Sequence, residues 1–310
     1  MADVPAPVLV LTGPTAVGKS TLALDVAEHV GAEIVSADSR QIYRGLDVGT
    51  ASPTAVDVQR VRHHLVDVLE PPEPYSAGRF LSWCGRAITE TQSRGAPVLV
   101  IGGSTLYIHA VVRGIADLPT VSEGLDQTLQ IKARTPEGRG GLYDELRRAD
   151  PESAATLDPT KSQRLVRLVG LLRETGRAPS ALWREQERPP LPHRLVVLDR
   201  PRSELYARID ARVDRMLTDG LIEETQRVLS HNPSARALLD ATIGYREVLA
   251  LLDGTIDRDE AVRLIKRNSR RYAKRQLTWF RRYEEAQWLD ARTATVQDVL
   301  DAAAPWPSST

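Results

Sequence analysis

Short apolar runs alternate with helical patterns along this chain, and the alternation predicts its architecture. Five runs rich in Val, Ile and Leu are each bounded by Gly, Pro or polar residues, as is typical of buried strands. These strands are predicted at residues 7–11, 33–36, 64–69, 97–102 and 194–198. Helical patterns follow at residues 19–30, 76–94 and 104–113. Because apolar strands separated by helices form parallel sheets covered on both faces, we predict an α/β fold with a parallel sheet flanked by helices.

The pattern changes near residue 117. Between there and residue 192, two helical patterns at 139–148 and 159–175 stand among Gly- and Pro-rich breakers, and no strand pattern occurs. After the last predicted strand, helices are predicted at 202–218, 220–230, 243–252 and 258–283. We therefore predict a core in two parts with a mostly helical insertion between them. The predicted segments are a first core part at 1–116, the insertion at 117–192, a second core part at 193–301 and a mobile tail at 302–310.

The composition excludes several classes of protein and of binding site. The 310 residues include 41 basic and 41 acidic side chains, and this zero formal net charge excludes a protein that coats nucleic acid by bulk charge. The single cysteine, Cys84, cannot form an intramolecular disulfide, and no CxxC pair offers a zinc site. No signal-peptide pattern occurs, and no apolar run approaches the roughly 18 residues that span a membrane. We predict a cytoplasmic protein with no membrane or DNA partner and, without long heptads or an extended edge strand, a monomer.

The most specific local pattern is a match to GxxxxGK[ST] between the first predicted strand and the first predicted helix. Its residues are Gly13, Pro14, Thr15, Ala16, Val17, Gly18, Lys19 and Ser20. In this context the motif is a P-loop, whose glycines let successive backbone N–H groups point at an anion. Lys19 adds a mobile cation for phosphate oxygens, and the Ser20 hydroxyl can ligate Mg²⁺. The sequence therefore predicts a site for a nucleotide or another diphosphate on a P-loop NTPase-like core.

A second candidate is the carboxylate of Asp38, which comes just after the second predicted strand. ATPases of this class usually carry a Mg²⁺-binding acid after an apolar strand, but the run at 97–102 ends in glycine and Asp199 comes late in the chain. Asp38 lies at the carboxyl edge of the sheet, where α/β folds form ligand clefts. It is predicted to hold metal or accept a proton there, and the alternative is a helix-capping role.

A basic segment at 261–283 points to a polyanion. It contains nine Arg or Lys side chains and no acid, with Tyr272, Trp279, Phe280 and Tyr283 interleaved. Seven of the cations follow helical spacing on one face and are called the cationic stripe below: Arg263, Lys266, Arg267, Arg270, Arg271, Lys274 and Arg275. A second cluster in the insertion comprises Lys161, Arg164 and Arg167. Such charge tracks a phosphate backbone and aromatics stack on bases, so RNA is predicted; the alternative is a solvated helix whose aromatics belong to the core.

Together these segments resemble the tRNA dimethylallyltransferases, also called the tRNA isopentenyltransferase family. The two most specific matches are SADSRQIYRGLDVGTA at 36–51 and RRYAKRQLTWFRR at 270–282. The others are the P-loop GPTAVGKS, HHLVDVLEPPEPYSAGRF at 63–80, QRLVR at 163–167, RIDARVDRMLTDGLIEE at 208–224 and IGYREVL at 243–249. They occur in the family's order and cover most of the chain.

The resemblance implies a reaction and its partners. The family transfers a dimethylallyl group from dimethylallyl diphosphate to N6 of the adenosine 3′-adjacent to the anticodon, in tRNAs reading codons that begin with U. Diphosphate is released and Mg²⁺ is required. The P-loop would then hold an allylic diphosphate rather than ATP, in line with the missing acid after residues 97–102. The expected partners are the tRNA anticodon stem-loop and dimethylallyl diphosphate.

The resemblance also implies roles for individual residues. Catalysis would fall to Asp38 as general base, to Lys19, and to a hydroxyl after Gly102 and Gly103, for which we choose Ser104 over Thr105. The tRNA contacts would be Asp38, Ser39, Arg40, Gln41, Gln163, Arg164, Leu165, Val166, Arg167, Gly244, Tyr245, Arg246, Lys274, Arg275, Gln276, Thr278, Trp279 and Arg281.

The chain departs from the family at a few positions, and other functions stay open. Asp126 stands where the family often has Arg, so that contact is absent or supplied by Arg134, and Lys161-Ser162 replaces a common Asn-Asp. The alternatives are a P-loop small-molecule kinase or ATPase, which binds and turns over ATP, and a non-catalytic RNA-binding protein with a vestigial P-loop. A transferase acting on free adenosine phosphate is disfavoured by the cationic stripe.

Overall fold

The computed structural model describes residues 6–116, 118–158, 160–186 and 189–306, without the side chain of residue 123. The chain divides into two compact units. The first joins Met1–Arg113 with Leu191–Thr310, and the second is Gly114–Pro190. None of the helices among the described residues is long and apolar enough to cross a membrane.

The first unit is built on a six-stranded sheet in which all paired strands are parallel. Its strands are β1 (Val8–Thr12), β2 (Glu33–Ser36), β3 (His63–His64), β4 (Val98–Gly102), β5 (His193–Asp199) and β6 (Gln287–Asp290). Their order across the sheet is β3-β2-β4-β1-β5-β6. The α/β fold class is confirmed, and β1 lies in the interior of the sheet, with all five of its residues buried.

Fifteen α-helices and one short 3₁₀ turn, at Pro233–Ala235, complete the part of the chain that the structure describes. The helices are α1 (Lys19–Val30), α2 (Ala55–Arg60), α3 (Ala77–Ser93), α4 (Thr105–Arg113), α5 (Glu123–Lys132), α6 (Pro136–Ala149), α7 (Pro151–Ala155), α8 (Ser162–Thr175), α9 (Pro179–Glu185), α10 (Arg202–Thr218), α11 (Leu221–His231), α12 (Arg236–Asp240), α13 (Tyr245–Leu252), α14 (Arg258–Phe280) and α15 (Val296–Ala303). The nine predicted helices are all present, whereas α2, α5, α7, α9, α12 and α15 were not predicted.

One predicted strand is shorter than expected, and one observed strand was not predicted. The strand expected at 64–69 is only His63–His64, because Leu65 and Asp67 adopt φ values of +63° and +52°, which no strand can accommodate. Strand β6 was not predicted, since Gln287 and Trp288 are exposed and give no apolar run. It pairs with β5 at the edge of the sheet.

The predicted mobile tail is wrong for residues 302–306. Helix α15 begins with a capping box between Thr295 and Asp298 and extends to Ala303. Val299 and Trp306 belong to the same buried cluster as Leu9 and Leu11 of β1, and Trp306 is only 4% exposed. Burying an indole of this size removes a large apolar surface from water, so this part of the tail is fixed to the core. Residues 307–310 lie outside the described part of the chain.

The second unit is a small helical body with its own core. Helices α5, α6 and α8 supply Leu129, Leu142, Leu146, Leu165 and Val169, which are fully buried together. This spacing of apolar residues along α8 places one face inward and leaves Gln163 and Arg164 exposed. The predicted start of α8 at residue 159 falls on a residue outside the described part of the chain.

Candidate active site

The loop after β1 has the backbone of an anion cradle. Gly13, Ala16 and Gly18 all have positive φ values, of 149°, 63° and 116°, and α1 begins at Lys19 directly after them. At Gly13 a side chain is excluded twice, because its Cβ would also lie 2.5 Å from the carbonyl oxygen of Leu198 on β5. The loop therefore has the left-handed backbone, directly before a helix N-terminus, that is typical of phosphate-binding loops.

Lys19 closes over this loop. Its Nζ donates to the carbonyl oxygens of Gly13 and Pro14, each at 2.8 Å. Burial and, to a smaller extent, the neighbouring Arg212 lower the pKa of Lys19, Asp38 opposes them, and the net pKa is about 7. Both acceptors of Lys19 are neutral carbonyl oxygens, so a bound diphosphate would supply the negative charge that its ammonium group lacks.

Three side chains that were not predicted as diphosphate ligands surround the loop from α10 and α14. Arg208 donates from Nε to the carbonyl of Ala16 at 2.9 Å. Arg212 donates from Nη1 to Thr15 Oγ1 at 3.3 Å, and burial lowers its pKa while Asp38 opposes the shift. Gln276 accepts from the N–H of Thr15 at 2.9 Å. Arg208 and Arg212 stand four residues apart on α10, so they share one face of the helix. This spacing is the sequence signal that could have identified them as a pair.

Asp38 follows β2 and its two carboxylate oxygens have different surroundings. Oδ1 accepts from the backbone N–H of Arg40 at 2.8 Å and of Gln41 at 3.4 Å, so the side chain caps its own turn. Among the described residues Oδ2 has no hydrogen-bond partner. Ser104 Oγ accepts from the N–H of Ser39 at 3.0 Å, which fixes the same turn from the loop after β4. The capping alternative and the proton-accepting role are thus both compatible with one carboxylate.

One cavity of about 230 Å³ brings the loop and Asp38 together, and it lies wholly within the first unit. Its polar wall includes Thr15, Asp38, Ser39, Arg40, Ser104 and Arg212. Its apolar wall includes Ile209, Val213, Met216, Ile243 and Ile265. A cavity with charge at one side and aliphatic carbon at the other suits a ligand that joins an anion to a hydrocarbon.

A second, larger cleft of about 780 Å³ lies where β5 and β6 end, and it shares no lining residue with the first cavity. Lys274, Thr278 and Arg281 line it, whereas Ser39, Arg40 and Gly244 line the cavity with Asp38. The predicted tRNA contacts of the first unit therefore divide between two places.

Four predicted tRNA contacts have buried side chains in this structure, and their contact with tRNA stays a prediction. Tyr245 is 0% and Gln276 1% exposed, and both are used within the first unit. Leu165 and Val166 belong to the core of the second unit. Other residues of the prediction remain accessible: Gln163, Arg164, Lys274, Arg275, Thr278 and Arg281 are exposed.

Three further predicted tRNA contacts already bind other groups of the protein. Arg167 donates to the carbonyl of Pro119 at 2.8 Å and lies near the charge of Asp126. Arg246 pairs with Glu247 at 2.9 Å. Trp279 is half-buried and donates its indole N–H to Tyr283 at 3.1 Å.

The cationic stripe is partly neutralised by acids of the chain itself. Three ion pairs occur, Arg263–Glu260, Lys266–Asp214 and Arg270–Asp210. The repulsion that seemed to require a polyanion is therefore relieved at these three positions. Arg271, Lys274 and Arg275 are exposed, and none of them forms an ion pair within the described residues. These three cations remain available to a polyanion.

The residues present fit a magnesium ion held mainly by substrate. The described residues contain no group of three or more His, Cys, Asp or Glu side chains that could hold a metal. Ser20, exposed at the start of α1, offers one hard oxygen, and a diphosphate and water would supply the others. Magnesium commonly binds in this way, with few protein ligands and several oxygens from phosphate and water.

Comparison with known proteins gives one consistent family. The sequence profile of the IPP transferases matches residues 41–283. A tRNA dimethylallyltransferase of Salinibacter ruber is 44% identical over 303 residues, which cover 96% of this chain and 92% of that protein. A tRNA dimethylallyltransferase of Geobacter metallireducens is 42% identical over 284 residues, covering 91% of this chain and 92% of that protein.

Solved structures agree with the sequence matches. The crystal structure of the tRNA isopentenylpyrophosphate transferase of Bacillus halodurans is similar with a TM-score of 0.68 and 33% identity, over 95% of this chain and 93% of that one. A eukaryotic dimethylallyltransferase acting on tRNA gives a TM-score of 0.75 at 25% identity, over 96% of this chain and 76% of that one. Both the profile and the relatives cover far more than half of the chain, which therefore belongs to the tRNA dimethylallyltransferase (IPP transferase) family.

Proposed function

We propose that this protein transfers the dimethylallyl group of dimethylallyl diphosphate to N6 of the adenosine 3′-adjacent to the anticodon, in tRNAs reading codons that begin with U. The observation that carries the proposal is the single cavity lined by both Thr15 of the P-loop and Asp38. Its polar wall joins the P-loop, as the site for an anion, to a carboxylate, and an alkyl transfer from a diphosphate to an amine needs both.

The diphosphate end works by stabilising a leaving group. When the allylic C1–O bond breaks, its electron pair stays on the diphosphate, whose negative charge increases. The loop amides, Lys19 and Arg212 surround the place where that charge develops. Because these groups are held in position before the reaction, they stabilise the transition state without rearranging.

The acceptor end works by removing a proton. The N6 nitrogen forms the new bond to C1, and one of its protons passes to Asp38 Oδ2, so that atoms and charge balance. Oδ1 is occupied by the amides of Arg40 and Gln41, which orient the carboxylate toward its task. The Ser104 hydroxyl positions the same turn through Ser39, and we propose it as a positioning group in this reaction.

Magnesium is the proposed cofactor, with Ser20 as its protein ligand. When bound it would neutralise part of the charge on the diphosphate, which adds to the effect of Lys19 and the loop amides. The protein's own contribution is to present a hydroxyl at the N-terminus of α1 beside the phosphate cradle.

The tRNA has to be held beyond this cavity, because an adenine must leave its stack to enter it. We propose that the exposed cations Arg271, Lys274 and Arg275 of α14 contact its backbone. For the second unit, the predicted insertion, we propose a further contact through Gln163 and Arg164, which are exposed on α8. A cytoplasmic monomer is the proposed setting.

Release of diphosphate distinguishes this function from the alternatives. With purified protein, Mg²⁺ and dimethylallyl diphosphate, we expect diphosphate to appear only when unmodified tRNA is added. A control with ATP in place of the allylic diphosphate should release no phosphate. Release from ATP would favour a kinase or ATPase, and release with free adenosine phosphate as acceptor would remove the need for tRNA.

A further inference from the structure

A buried carboxylate that the proposed reaction does not use lies behind the turn at residues 47–51. Glu224 of α11 is 1% exposed, and a carboxylate is rarely buried unless its oxygens are hydrogen-bonded. Oε2 accepts from the backbone N–H groups of Asp47 at 2.9 Å and Val48 at 2.8 Å, and Oε1 accepts from Gly49 at 3.0 Å. Glu224 therefore binds three consecutive amides of one turn.

Tyr245, at the start of α13, supplies a fourth donor. Its hydroxyl donates to Glu224 Oε1 at 2.6 Å, and burial together with the Glu224 charge raises the pKa of Tyr245, so the hydroxyl keeps its proton. Its ring also lies directly under Gly49, where a Cβ would be 2.4 Å from the ring carbon Cζ. The four donors fill both carboxylate oxygens, and the ring limits how close the turn can come. The turn consequently has one well-defined position.

In this position the turn binds two side chains beside the active site through its carbonyl oxygens. The carbonyl of Thr50 accepts from Arg212 Nη2 at 3.3 Å. The carbonyl of Ala51 accepts from Gln41 Nε2 at 3.1 Å. Arg212 contacts the P-loop through Thr15, and the backbone N–H of Gln41 contacts Asp38, so a displaced turn would disturb both the P-loop and Asp38.

We propose that Glu224, with Tyr245 as its fourth hydrogen-bond donor, is a positioning residue for dimethylallyl transfer. It lies behind the turn and is not among the residues that line the cavity, whereas Gly49 and Thr50 of the turn do line it. Its effect is transmitted through the turn to Arg212 and Gln41. This inference rests on the proposed function, because the rate it concerns is that of the transfer.

Two substitutions test the role with little change of shape. Glu224→Gln keeps the size of the side chain but places an NH₂ group against backbone N–H donors, which cannot bond to it. Tyr245→Phe removes one donor and leaves the three amides. Glu223→Gln is the matched control, because Glu223 precedes Glu224 on the same helix and is not buried.

Hydrogen exchange measures the protection of the turn's own amides, and this measurement does not depend on catalysis. In Glu224→Gln we expect the amides of residues 47–49 to exchange at least about 10-fold faster, since each loses its acceptor or shares a weaker one. Amides of β1 and β4 should be unchanged. The control should match the wild-type protein throughout.

Steady-state kinetics then measures the consequence. For Glu224→Gln we expect kcat to fall by about 10- to 100-fold while KM for either substrate changes by less than about 3-fold, because misplaced groups affect the transition state most. Tyr245→Phe should lower kcat by about 3- to 10-fold. Thermal unfolding of each variant shows whether the folded fraction is maintained.

A wild-type kcat in Glu224→Gln, or a loss that follows only the folded fraction, would overturn the role, as would unchanged exchange at residues 47–49. If Glu224→Gln does not fold, Tyr245→Phe decides by the same criteria. If the wild-type protein transfers nothing, the proposed function fails. Exchange at residues 47–49 then still decides whether Glu224 positions the turn.

Discussion

In the proposed reaction, Asp38 concentrates the proton transfer in a single oxygen. Its Oδ1 is occupied by the amides of Arg40 and Gln41, and this leaves Oδ2 to meet the incoming N6 group. An asparagine in its place can still accept those two hydrogen bonds through its Oδ1. It cannot take up a proton, so the turn should keep its shape while the chemistry is lost.

Asp38→Asn is therefore expected to bind both substrates and to transfer slowly. The single-turnover rate should fall by about 100-fold or more, with affinity for tRNA changed by less than about 3-fold. Asp219→Asn, which changes an exposed carboxylate at the end of α10, should transfer at the wild-type rate. A rate close to that of the wild-type protein for Asp38→Asn would remove this residue as the base.

Lys19 tests whether the P-loop still has a function. Lys19→Met removes the cation that lies over the Gly13 and Pro14 carbonyls, so affinity for inorganic diphosphate should fall by at least about 10-fold, and transfer with it. Isothermal titration with diphosphate measures the first and a tRNA assay the second. Lys132→Met, at an exposed position of the second unit, is the control. Unchanged diphosphate affinity and unchanged transfer in Lys19→Met would show that the P-loop lysine takes no part in the reaction.

Helix α14 carries two kinds of cation, those paired with acids and those free to meet RNA. Substituting Arg271, Lys274 or Arg275 with Gln should weaken tRNA binding and reduce the slope of log affinity against log salt by about 0.7–0.9 for each phosphate that the variant no longer neutralises. Arg263→Gln is the matched control, since Arg263 pairs with Glu260 on the same helix. Filter binding at several salt concentrations gives the slope, and equal slopes in all four variants would show that the stripe does not bind phosphate.

Strand β2 is held at its first residue by an ionic network. Burial would raise the pKa of Glu33, but hydrogen bonds from His64, Arg94 and Thr91 outweigh it and lower the pKa to about 2. The ionised carboxylate therefore stabilises the fold above its ordinary pKa near 4.5, and that contribution is lost as the pH falls from there toward 2.

Glu33→Gln should accordingly lower the free energy of unfolding at neutral pH by on the order of 2–3 kcal/mol. The difference from the wild-type protein should shrink as the pH falls below about 4.5, because the wild-type carboxyl then becomes neutral as well. Denaturant unfolding at a series of pH values measures this. Glu90→Gln, at an exposed position of α3, is the control. A difference that stays constant from pH 7 to pH 3 would show that the network does not act through the charge of Glu33.

Elements were predictable where local sequence decides them. Strands β1, β4 and β5 are apolar runs, and α1 follows a motif that requires a helix at Lys19. Strand β6 was missed because an edge strand with exposed residues has no such run. Strand β3 was overextended because nothing in the sequence of 64–69 reveals the left-handed backbone of Leu65 and Asp67.

The residues of the site also fall into those that local sequence reveals and those that it does not. The P-loop and Asp38 are local motifs and could be identified from the sequence. Arg212, Gln276 and Glu224 reach the site from helices far along the chain, and their roles follow from packing that no single segment encodes. The resemblance pointed to Tyr245 and Gln276 as tRNA contacts, and it did not indicate that both side chains are buried.

For the whole molecule, zero net charge conceals a strong local separation. Part of its balance comes from short-range ion pairs, such as Lys266 with Asp214 and Arg270 with Asp210. Other cations stand where the two anionic substrates are proposed to bind: Lys19 at the diphosphate, and Arg271, Lys274 and Arg275 at the tRNA. A neutral protein can therefore bind two polyanions through placement of charge, without an excess of it.

In the proposed reaction one cavity joins both substrates in an alkyl transfer, and nucleoside mass spectrometry detects the product. Purified protein is incubated with Mg²⁺, dimethylallyl diphosphate and unmodified tRNA that reads codons beginning with U, and the tRNA is digested to nucleosides. We predict one dimethylallyl group on N6 of an adenosine per tRNA, at the position 3′-adjacent to the anticodon, with one diphosphate released for each. Absence of the adduct from every such tRNA, with folded protein and both substrates present, would contradict the account.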